Sequence, residues 1–372
     1  MIKKFLQKIF KIFSYGFFLK IYGKIEKTIQ HTGDHRITTN VASITGDLKY
    51  KVYKITNGRL YTDRIHDTAV ILDDKIIEGP SFQLRYTHDS KVYNSKAKDN
   101  IVLKKGTPRR LKELRGTVLS LLTGGGGNNN YWHWLYDVLP RFALCRKFID
   151  LKEIDYFLLP NNLDNFQNET LNLLKIPKHK RLSSEKFRHI KADKLIVTDH
   201  PVAITGNASE DMQNIPNWIS KWLKESFLNQ DMKQNTEIKR KIYIDREDKI
   251  YKNQQQRKII NEDEIKNYLL KNNFVMTRLH EINFIEQVNL FSNAECIVGL
   301  HGGGFGNISF CKSGTKIIEL RNSTAGPVIE NLAKNNQLNY ESIIVKPNNN
   351  SFPNQQGHIQ VPMNSLINAL KD

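Results

Sequence analysis

Apolar and polar positions along the 372-residue chain fall into short blocks that predict strands and helices in alternation. The largely apolar run TVLSLL at 117–122 is typical of a strand buried on both faces within a parallel sheet. Longer stretches of mixed apolar and polar residues, such as 166–174, predict helices between these strands. Strands alternating with helices indicate an α/β layer architecture.

The alternation occurs twice, which predicts two doubly wound domains in a chain long enough for two cores. The first series has strands at 117–122, 156–159 and 194–197, and short strands and turns at 36–103 precede it. The second series follows the polar residues 229–235. The predicted organisation is an N-terminal helix at 1–30, a Rossmann-like domain at 31–205, a linker with a helix at 206–237, a second Rossmann-like domain at 238–345, and a C-terminal tail and helix at 346–372.

The first 30 residues have a pattern of their own. Phenylalanine and isoleucine alternate with lysines at 3, 4, 8, 11, 20, 24 and 27, and no acidic residue precedes Glu26. The longest apolar stretch is too short to span a bilayer, and no signal-peptide cleavage site is evident. The spacing predicts a basic amphipathic helix, which either lies on an anionic membrane surface or packs on its own domain. The Phe-rich apolar face favours the membrane surface.

Composition limits the possible partners. Hydrophobic residues make up 39% and charged residues 25%, as in a globular protein. The 56 lysines and arginines exceed the 38 acids by 18, which favours an anionic partner: nucleic acid, anionic lipid or a phosphorylated small molecule. Cys145, Cys296 and Cys311 have no metal-binding spacing, so we expect neither a zinc site nor a disulfide framework, and a reducing compartment fits.

The first loop with candidate chemistry is GGGGNNNYWHWLYD at 124–137. Its glycines permit close approach of the backbone to a ligand. His133 and Asp137 are four residues apart and therefore share one face of the helix that follows. A carboxylate and an imidazole one turn apart can deprotonate a hydroxyl group, although many such pairs are surface or capping interactions.

The second loop, VGLHGGGFGN at 298–307, follows a strand and opens a helix, so its backbone N–H groups can bind phosphate. It lacks the last glycine of a dinucleotide fingerprint, and it is not a P-loop. A tight turn is the competing interpretation. Arg246 directly follows a predicted strand and Arg257 lies eleven residues later. Together with the glycines, these arginines indicate a diphosphate site.

Five blocks resemble glycosyltransferase family 61 in order and spacing, between about residues 117 and 322. They are NYWHWLYDVLPR at 130–141, DR at 245–246 with RKIINE at 257–262, LFSNAE at 290–295, HGGGFGN at 301–307, and GTKIIEL at 314–320. In the last-but-one block this chain has Gly303 and Phe305, where the family commonly has alanine and leucine. We expect Phe305 to affect the shape of the sugar pocket.

The resemblance implies a GT-B fold, with two Rossmann-like domains facing a central cleft, and an inverting transferase that uses a nucleoside-diphosphate sugar and needs no metal or cofactor. It implies Asp137 as the catalytic base with His133 beside it. The implied acceptor-side loop contains Asn130, Tyr131 and Trp132, and the implied donor site contains Arg246, Arg257, His301, Gly302, Gly303, Asn307 and Glu319. Family members of bacterial origin imply a role in capsule, exopolysaccharide or lipopolysaccharide synthesis at the cytoplasmic face of the membrane, on a glycan or lipid-linked glycan.

Three other functions are consistent with parts of the sequence. A non-catalytic member that binds glycan or nucleotide in an assembly complex would also contain the donor loop. An oxidoreductase is disfavoured by the incomplete dinucleotide fingerprint. A nucleic-acid-binding protein would use the net charge of +18, but no nucleic-acid-binding module is recognisable and much of the excess charge lies in the first 30 residues.

Overall fold

The protein was analysed as a computed structural model, which describes the chain except for residues 1, 31–32, 46–47, 63–67, 82, 87–91, 96, 123–129, 161–162, 229–239, 247–256, 349–356 and 372. The chain folds into two compact units, Met1–Asp211 and Met212–Asp372. The division lies within the 206–237 stretch assigned to a linker and helix. The glycine-rich residues 124–129 of the first candidate loop lie outside the described residues.

The first unit contains helices α1 to α6 and strands β1 to β12. The helices are α1 Ile2–Tyr22, α2 Ile101–Lys105, α3 Tyr131–His133, α4 Leu139–Arg146, α5 Asn165–Leu173 and α6 Ala208–Asp211. The strands are β1 Lys27–Ile29, β2 Ile37–Thr45, β3 Leu48–Thr56, β4 Arg59–Thr62, β5 Thr68–Leu72, β6 Lys75–Ile77, β7 Gln83–Tyr86, β8 Val92–Ser95, β9 Lys112–Ser120, β10 Tyr156–Leu159, β11 Arg181–Ser183 and β12 His189–Thr198.

Ten of these strands form one mixed sheet, in the order β1-β6-β5-β4-β12-β9-β10-β11, with β3 also paired to β12 and β2 to β3. Strands β11, β10, β9 and β12 are parallel neighbours, in the order of half a Rossmann sheet. Strands β3 and β4 pair antiparallel to β12 and extend the sheet with the short N-terminal strands. The sequence predicted short strands in this region but not that they would continue the parallel sheet.

Buried apolar side chains from the strands of the first unit's sheet pack together as a core and stabilise that sheet. Leu60, Val118, Leu158, Ile190 and Leu195 pack together with almost no exposure to solvent. These residues come from strands far apart in the sequence, so the antiparallel and parallel parts of the sheet share one core. The carboxyl ends of the parallel neighbours β9 and β12 lie at the same edge of the sheet.

Helix α1 contacts the first unit through the residues of its second half. The Ser14 hydroxyl donates to the Pro108 carbonyl at 3.3 Å, and the Tyr22 hydroxyl accepts from the Leu111 N–H at 2.8 Å. The ring of Tyr22 also packs edge-on against His189 at 5.0 Å. Within the described residues, no helix is long and apolar enough to cross a membrane.

The second unit contains helices α7 Asn217–Phe227, α8 Glu262–Lys271, α9 Phe284–Ser292, α10 Val328–Asn335 and α11 Met363–Ala369. Its strands are β13 Arg240–Ile244, β14 Phe274–Thr277, β15 Ala294–Leu300, β16 Lys316–Asn322 and β17 Asn339–Val345. All strand pairs are parallel, and the order is β14-β13-β15-β16-β17. This is the 2-1-3-4-5 order of a doubly wound sheet.

The two faces of this sheet are covered by different helices. Val298 and Ile318 pack with Leu269 of α8 and Leu366 of α11. Side chains alternate between the faces of a strand, so the neighbours of Val298 face the other layer. There, aromatic contacts join α7, α9 and the 3₁₀ helix Gly303–Phe310 through Phe227, Phe284 and Phe310.

Candidate active site

A distorted helix carries the candidate base of the first unit. The Asn130 side chain caps the helix by accepting from the His133 N–H at 3.3 Å. After one turn the helix widens into a π turn at Trp134–Val138, before Pro140 in the first turn of α4. Pro140 has no N–H to donate to the carbonyl four residues earlier, and a wider turn accommodates this loss. Such π turns are frequent at functional sites.

His133 and Asp137 form a close pair in this distorted segment. Nδ1 of His133 lies 2.6 Å from Oδ2 of Asp137. The Asp137 side chain is 5% exposed and that of His133 is 21% exposed. Burial alone would raise the pKa of Asp137 and lower that of His133, but their attraction and hydrogen bond outweigh burial. The pKa of Asp137 is therefore lowered and that of His133 raised, as in an ion pair.

Two further side chains influence the charge of this pair. Arg141 is buried, and its Nε donates to the Asp137 carbonyl at 3.1 Å. His200, just past the end of β12, interacts electrostatically with both members of the pair and with Arg141. Burial is the main reason that the pKa of His200 falls to about 3; Asp137 opposes the fall, and Arg141 and His133 add to it. His200 is therefore neutral beside the pair at physiological pH.

The aromatic residues around His133 are fixed by packing. The Tyr131 ring packs edge-on against Phe166 at 5.2 Å, and Trp132 lies 4.6 Å from the ring of Tyr136. The indole N–H of the buried Trp134 donates to the Thr170 hydroxyl at 2.9 Å. Asn130, Tyr131 and Trp132 thus belong to the segment that presents His133. Their contact with an acceptor stays a prediction.

The second candidate site lies where the strand order of the second unit reverses. Strands β13 and β15 are neighbours there, and ligands of doubly wound sheets bind at the carboxyl ends of such strands. Arg246 follows β13 and His301 follows β15, and the Arg246 Nη1 donates to the His301 carbonyl at 3.1 Å. A Cβ at position 302 would lie 3.0 Å from that nitrogen, so Gly302 leaves room for the guanidinium.

Arg257 adds a second guanidinium to this edge. Burial and the positive charge of Arg246 lower the pKa of Arg257, and Glu319 opposes them. The two arginines therefore lie within electrostatic reach of each other, beside the start of the 3₁₀ helix Gly303–Phe310. Two like charges held together beside backbone N–H groups are suited to an anion with several charges, such as a diphosphate.

Glu319 fixes the side chain of His301 by a hydrogen bond. It is fully buried; its Oε1 makes a very short hydrogen bond with His301 Nδ1, and its Oε2 accepts from the Tyr340 hydroxyl. Glu319 thus orients the imidazole through Oε1, and Tyr340 fixes the carboxylate through Oε2. The contact between Glu319 and a ribose stays a prediction.

Asn307 and Phe305 support the loop from the core. The Asn307 amide is buried and donates to Oε1 of Gln287 at 2.9 Å, which ties the 3₁₀ helix to α9. Phe305 is 1% exposed and lies against Gly299, so its influence on a sugar pocket is indirect, through the position of the loop. Gly303 begins the 3₁₀ helix. A direct role of Asn307 or Gly303 in donor binding stays a prediction.

Asp245, next to Arg246, has a structural role. Its Oδ1 lies 2.9 Å from the Lys266 ammonium and its Oδ2 lies 3.4 Å from Arg278 Nε. These ion pairs join the end of β13 to α8 and to the segment after β14. Among the described residues, no three His, Cys, Asp or Glu side chains are grouped as ligands for a metal ion.

Each unit therefore has polar side chains at the carboxyl ends of its parallel strands: the His133/Asp137 pair in the first unit, and Arg246, Arg257 and His301 in the second. The model of the family Glycosyltransferase 61 matches residues 131–318, half of the chain. The matched region includes the His133/Asp137 pair, both arginines of the second site and the glycine loop at 301–307. The chain belongs to the glycosyltransferase 61 family.

One relative is the EGF domain-specific O-linked N-acetylglucosamine transferase of Gallus gallus. It is 30% identical to the chain over 107 residues, which are 27% of this chain and 20% of the relative. The alignment thus spans about a fifth of the relative's length, and its acceptor and donor are properties of that protein.

Sequence reasoning missed three residues of these sites. His200 lies three residues after the predicted strand 194–197, and the rule that ligands bind at strand carboxyl ends could have indicated it. Tyr340 and Gln287 hold Glu319 and Asn307 from other elements. Those contacts depend on the packing of β17 and α9, for which the sequence has no local signal.

Proposed function

We propose that the protein is an inverting glycosyltransferase that moves a sugar from a nucleoside-diphosphate sugar to a glycan acceptor. The observation that carries the proposal is the anion site at the strand reversal, where Arg246, Arg257 and Gly302 come together. Membership of the family supports glycosyl transfer as the reaction. The donor nucleotide, with its diphosphate, is the ligand that fits two adjacent guanidinium groups.

The proposed reaction is a single displacement. The acceptor oxygen attacks the anomeric carbon while the bond from that carbon to the diphosphate oxygen breaks, and the nucleoside diphosphate leaves with the electron pair. The hydroxyl proton passes to the His133/Asp137 pair. When the His133 ring is neutral, its more exposed Nε2 accepts this proton, since Nδ1 is bonded to Asp137, and the Asp137 carboxylate stabilises the imidazolium that forms.

The arginines have the electrostatic role in this proposal. Arg246 and Arg257 stabilise the charge that develops on the departing diphosphate, and the amides of residues 302–304 add to this. Two guanidinium groups neutralise a diphosphate without a metal ion, so the proposed reaction needs neither metal nor cofactor. A GT-B arrangement belongs to the same proposal, because each unit has its site at strand carboxyl ends, where the two sites can serve one reaction.

We further propose that the enzyme acts at the cytoplasmic face of a bacterial membrane, on a lipid-linked glycan of a surface polysaccharide. The support comes from α1. Leu6, Phe10, Phe13, Phe17 and Ile21 are spaced by three or four residues, and they are 54% to 75% exposed. The lysine-rich sequence of the first 27 residues suits the negative charge of a lipid surface.

The donor site is tested by thermal unfolding with a panel of nucleoside diphosphates and nucleotide sugars. A ligand at 100-fold its Kd stabilises a protein by about 2.7 kcal/mol, so one nucleotide class should raise the midpoint clearly. Changing Arg257→Ala should abolish the shift, and the control Lys271→Ala, an exposed position of α8, should leave it intact. A folded protein with no shift from any nucleotide would exclude the proposed donor site.

The membrane proposal is tested by cosedimentation with vesicles of anionic or zwitterionic phospholipid. Each phenylalanine that leaves the lipid forfeits roughly 2 kcal/mol. The double change Phe13→Asp with Phe17→Asp should therefore lower partitioning onto anionic vesicles by more than about 10²-fold, whereas Leu173→Asp, an exposed leucine of α5, should not. Equal partitioning of all three proteins would contradict the proposal.

A further inference from the structure

The first unit contains a half-open cavity of about 380 Å³ beside the candidate base. Its walls include Lys49, Glu78, Lys98, Asp199, His200 and Ile204. This volume lies within the range of ligand pockets, roughly 300–1,000 Å³. All of its walls belong to the first unit, so the cavity is a feature of that unit alone.

The position of the cavity follows from the sheet. Strands β9 and β12 are parallel neighbours, so their carboxyl ends lie at one edge. The chain after β9 leads to Asp137, and the chain after β12 begins with Asp199 and His200. Arg141 joins the two connections, because it donates to the Asp137 carbonyl at 3.1 Å and to the Thr198 carbonyl at 3.4 Å. The cavity and the His133/Asp137 pair therefore share His200 as a neighbour.

The polar groups of the cavity are held in place. Asp199 accepts from the Tyr53 hydroxyl at 2.9 Å and from the Lys51 N–H at 2.7 Å. Glu78 accepts from the Thr28 hydroxyl at 2.8 Å. Gly79 has a φ of +83°, and a Cβ there would lie 2.4 Å from the Tyr53 hydroxyl. The backbone thus closes on the Tyr53–Asp199 pair at a point where only glycine fits.

His200 is the wall residue that joins the cavity to the His133/Asp137 pair. Its Nδ1 accepts from the Val202 N–H at 3.3 Å, so the neutral ring has its proton on Nε2. Carboxylates that accept and the half-exposed aliphatic Ile204 together match a sugar, which has hydroxyl groups and an apolar C–H face. Two carboxylates against two lysines make the lining near neutral, which disfavours a diphosphate.

We propose that this cavity binds a sugar residue of the glycan acceptor and directs one of its hydroxyl groups toward the His133/Asp137 pair. The acceptor role rests on the proposed transferase function; the binding of carbohydrate does not. His200 separates the sugar from the pair, and Asp199 and Glu78 select the sugar through contacts with its hydroxyl groups. Selection of this kind is strong, because a missing hydroxyl leaves buried polar groups unpaired.

The test blocks the cavity by substitution and leaves His133 and Asp137 unchanged. Ala203 lines the cavity, and Ala203→Trp would fill it. The matched control is Leu173→Trp, on an exposed position of α5 away from the cavity. Because the tryptophan variant can perturb folding, Asp199→Asn is measured as well. The probes are methyl glycosides of the common hexoses and N-acetylhexosamines, observed by saturation-transfer NMR, with nucleotide-induced thermal shifts measured in parallel.

We expect glycoside binding to wild type and to Leu173→Trp, and at least a tenfold loss of affinity in Ala203→Trp and Asp199→Asn, with nucleotide shifts unchanged in all four proteins. Unaltered glycoside binding in both cavity variants, or no glycoside binding to wild type, would overturn the inference. Glycoside binding that the cavity variants lose, in a protein that no nucleotide stabilises, would refute the transferase function and leave the carbohydrate site standing.

Discussion

Replacing Asp137 by asparagine removes the negative charge of the His133/Asp137 pair but keeps the shape of the side chain. Asparagine has the size of aspartate and can still accept a hydrogen bond from His133 Nδ1. The substitution removes the negative charge that lies 2.6 Å from that nitrogen, at a site only 5% exposed. Without this charge, burial dominates at His133, so its pKa should fall below the ordinary value.

The size of the effect can be worked from the pair. General bases contribute about 10²–10⁴-fold to turnover, so Asp137→Asn should lower kcat by at least ~10², or about 2.7 kcal/mol of barrier. The variant replaces a hydrogen bond to a charged group, which stabilises by about 1.5–3 kcal/mol, with a neutral one of about 0.5–1.5 kcal/mol. This loss of about 1–1.5 kcal/mol lowers the unfolding midpoint of a unit of this size by roughly 2–6 °C.

The dependence of this stability on pH has a definite sign. The pKa of Asp137 is lowered by folding, so its contribution is present above its ordinary value of 3.8 and is lost as pH falls through the folded value. The pKa of His133 is raised, so its contribution is full below 6.5 and is lost as pH rises through the folded value. The wild type should therefore exceed the variant most in stability between about pH 4 and 6.5.

The assay combines two measurements. Turnover is followed by the release of nucleoside diphosphate, and unfolding by circular dichroism at several pH values between 4 and 9. Asp263→Asn, an exposed position of α8, is the control for an added amide. Equal turnover of wild type and Asp137→Asn, or a difference in their stability that does not change with pH, would refute the assignment of Asp137 as the negatively charged member of the His133/Asp137 pair. Nucleotide-induced stabilisation should be unchanged, since the substitution lies in the first unit.

Three further predictions follow from other contacts. Glu319→Gln should weaken nucleotide binding at least ~10-fold, because it removes the charge that orients His301, and Tyr340→Phe, which removes only one hydrogen bond, should weaken it less; calorimetric titration measures both. Gly79→Ala should lower the free energy of unfolding more than Gly314→Ala, because both glycines have a φ of +83° but a Cβ at position 314 would meet no atom within 4 Å. Denaturant unfolding should give a loss of about 1 kcal/mol for Gly314→Ala and of at least about 3 kcal/mol for Gly79→Ala. Equal losses would contradict the clash with Tyr53. Asp245→Asn should lower the unfolding midpoint of the second unit by a few degrees through lost ion pairs with Lys266 and Arg278, and an unchanged midpoint would remove their structural role.

The parts of the fold that follow local rules were predictable. The strands of the second unit contain short apolar runs, and Arg246 and His301 follow two of these strands within two residues, so the sequence could place both at one edge of a parallel sheet. The spacing of His133 and Asp137 predicted their shared face, although the π turn between them depends on Pro140 and on packing. These elements were predictable because a single period or a single turn determines them.

Features that depend on distant contacts were not predictable. The pairing of β3 and β4 with β12 joins residues more than 120 positions apart, and alternation along each strand does not specify the partner. The burial of Glu319 under His301 and Tyr340 likewise requires three strands to be in register. For the same reason the cavity beside His200 was missed, since its walls come from segments between residues 28 and 206.

The most direct test of the account is to incubate the protein with each nucleotide sugar in the presence of glycan acceptors from bacterial membrane extracts and to identify the product by NMR. We predict that one nucleotide sugar gives nucleoside diphosphate and a new glycosidic bond of inverted anomeric configuration, and that Asp137→Asn lowers both by at least ~10². A product with retained configuration would contradict the single displacement. Donor binding without product across the whole panel would identify a non-catalytic member of the family.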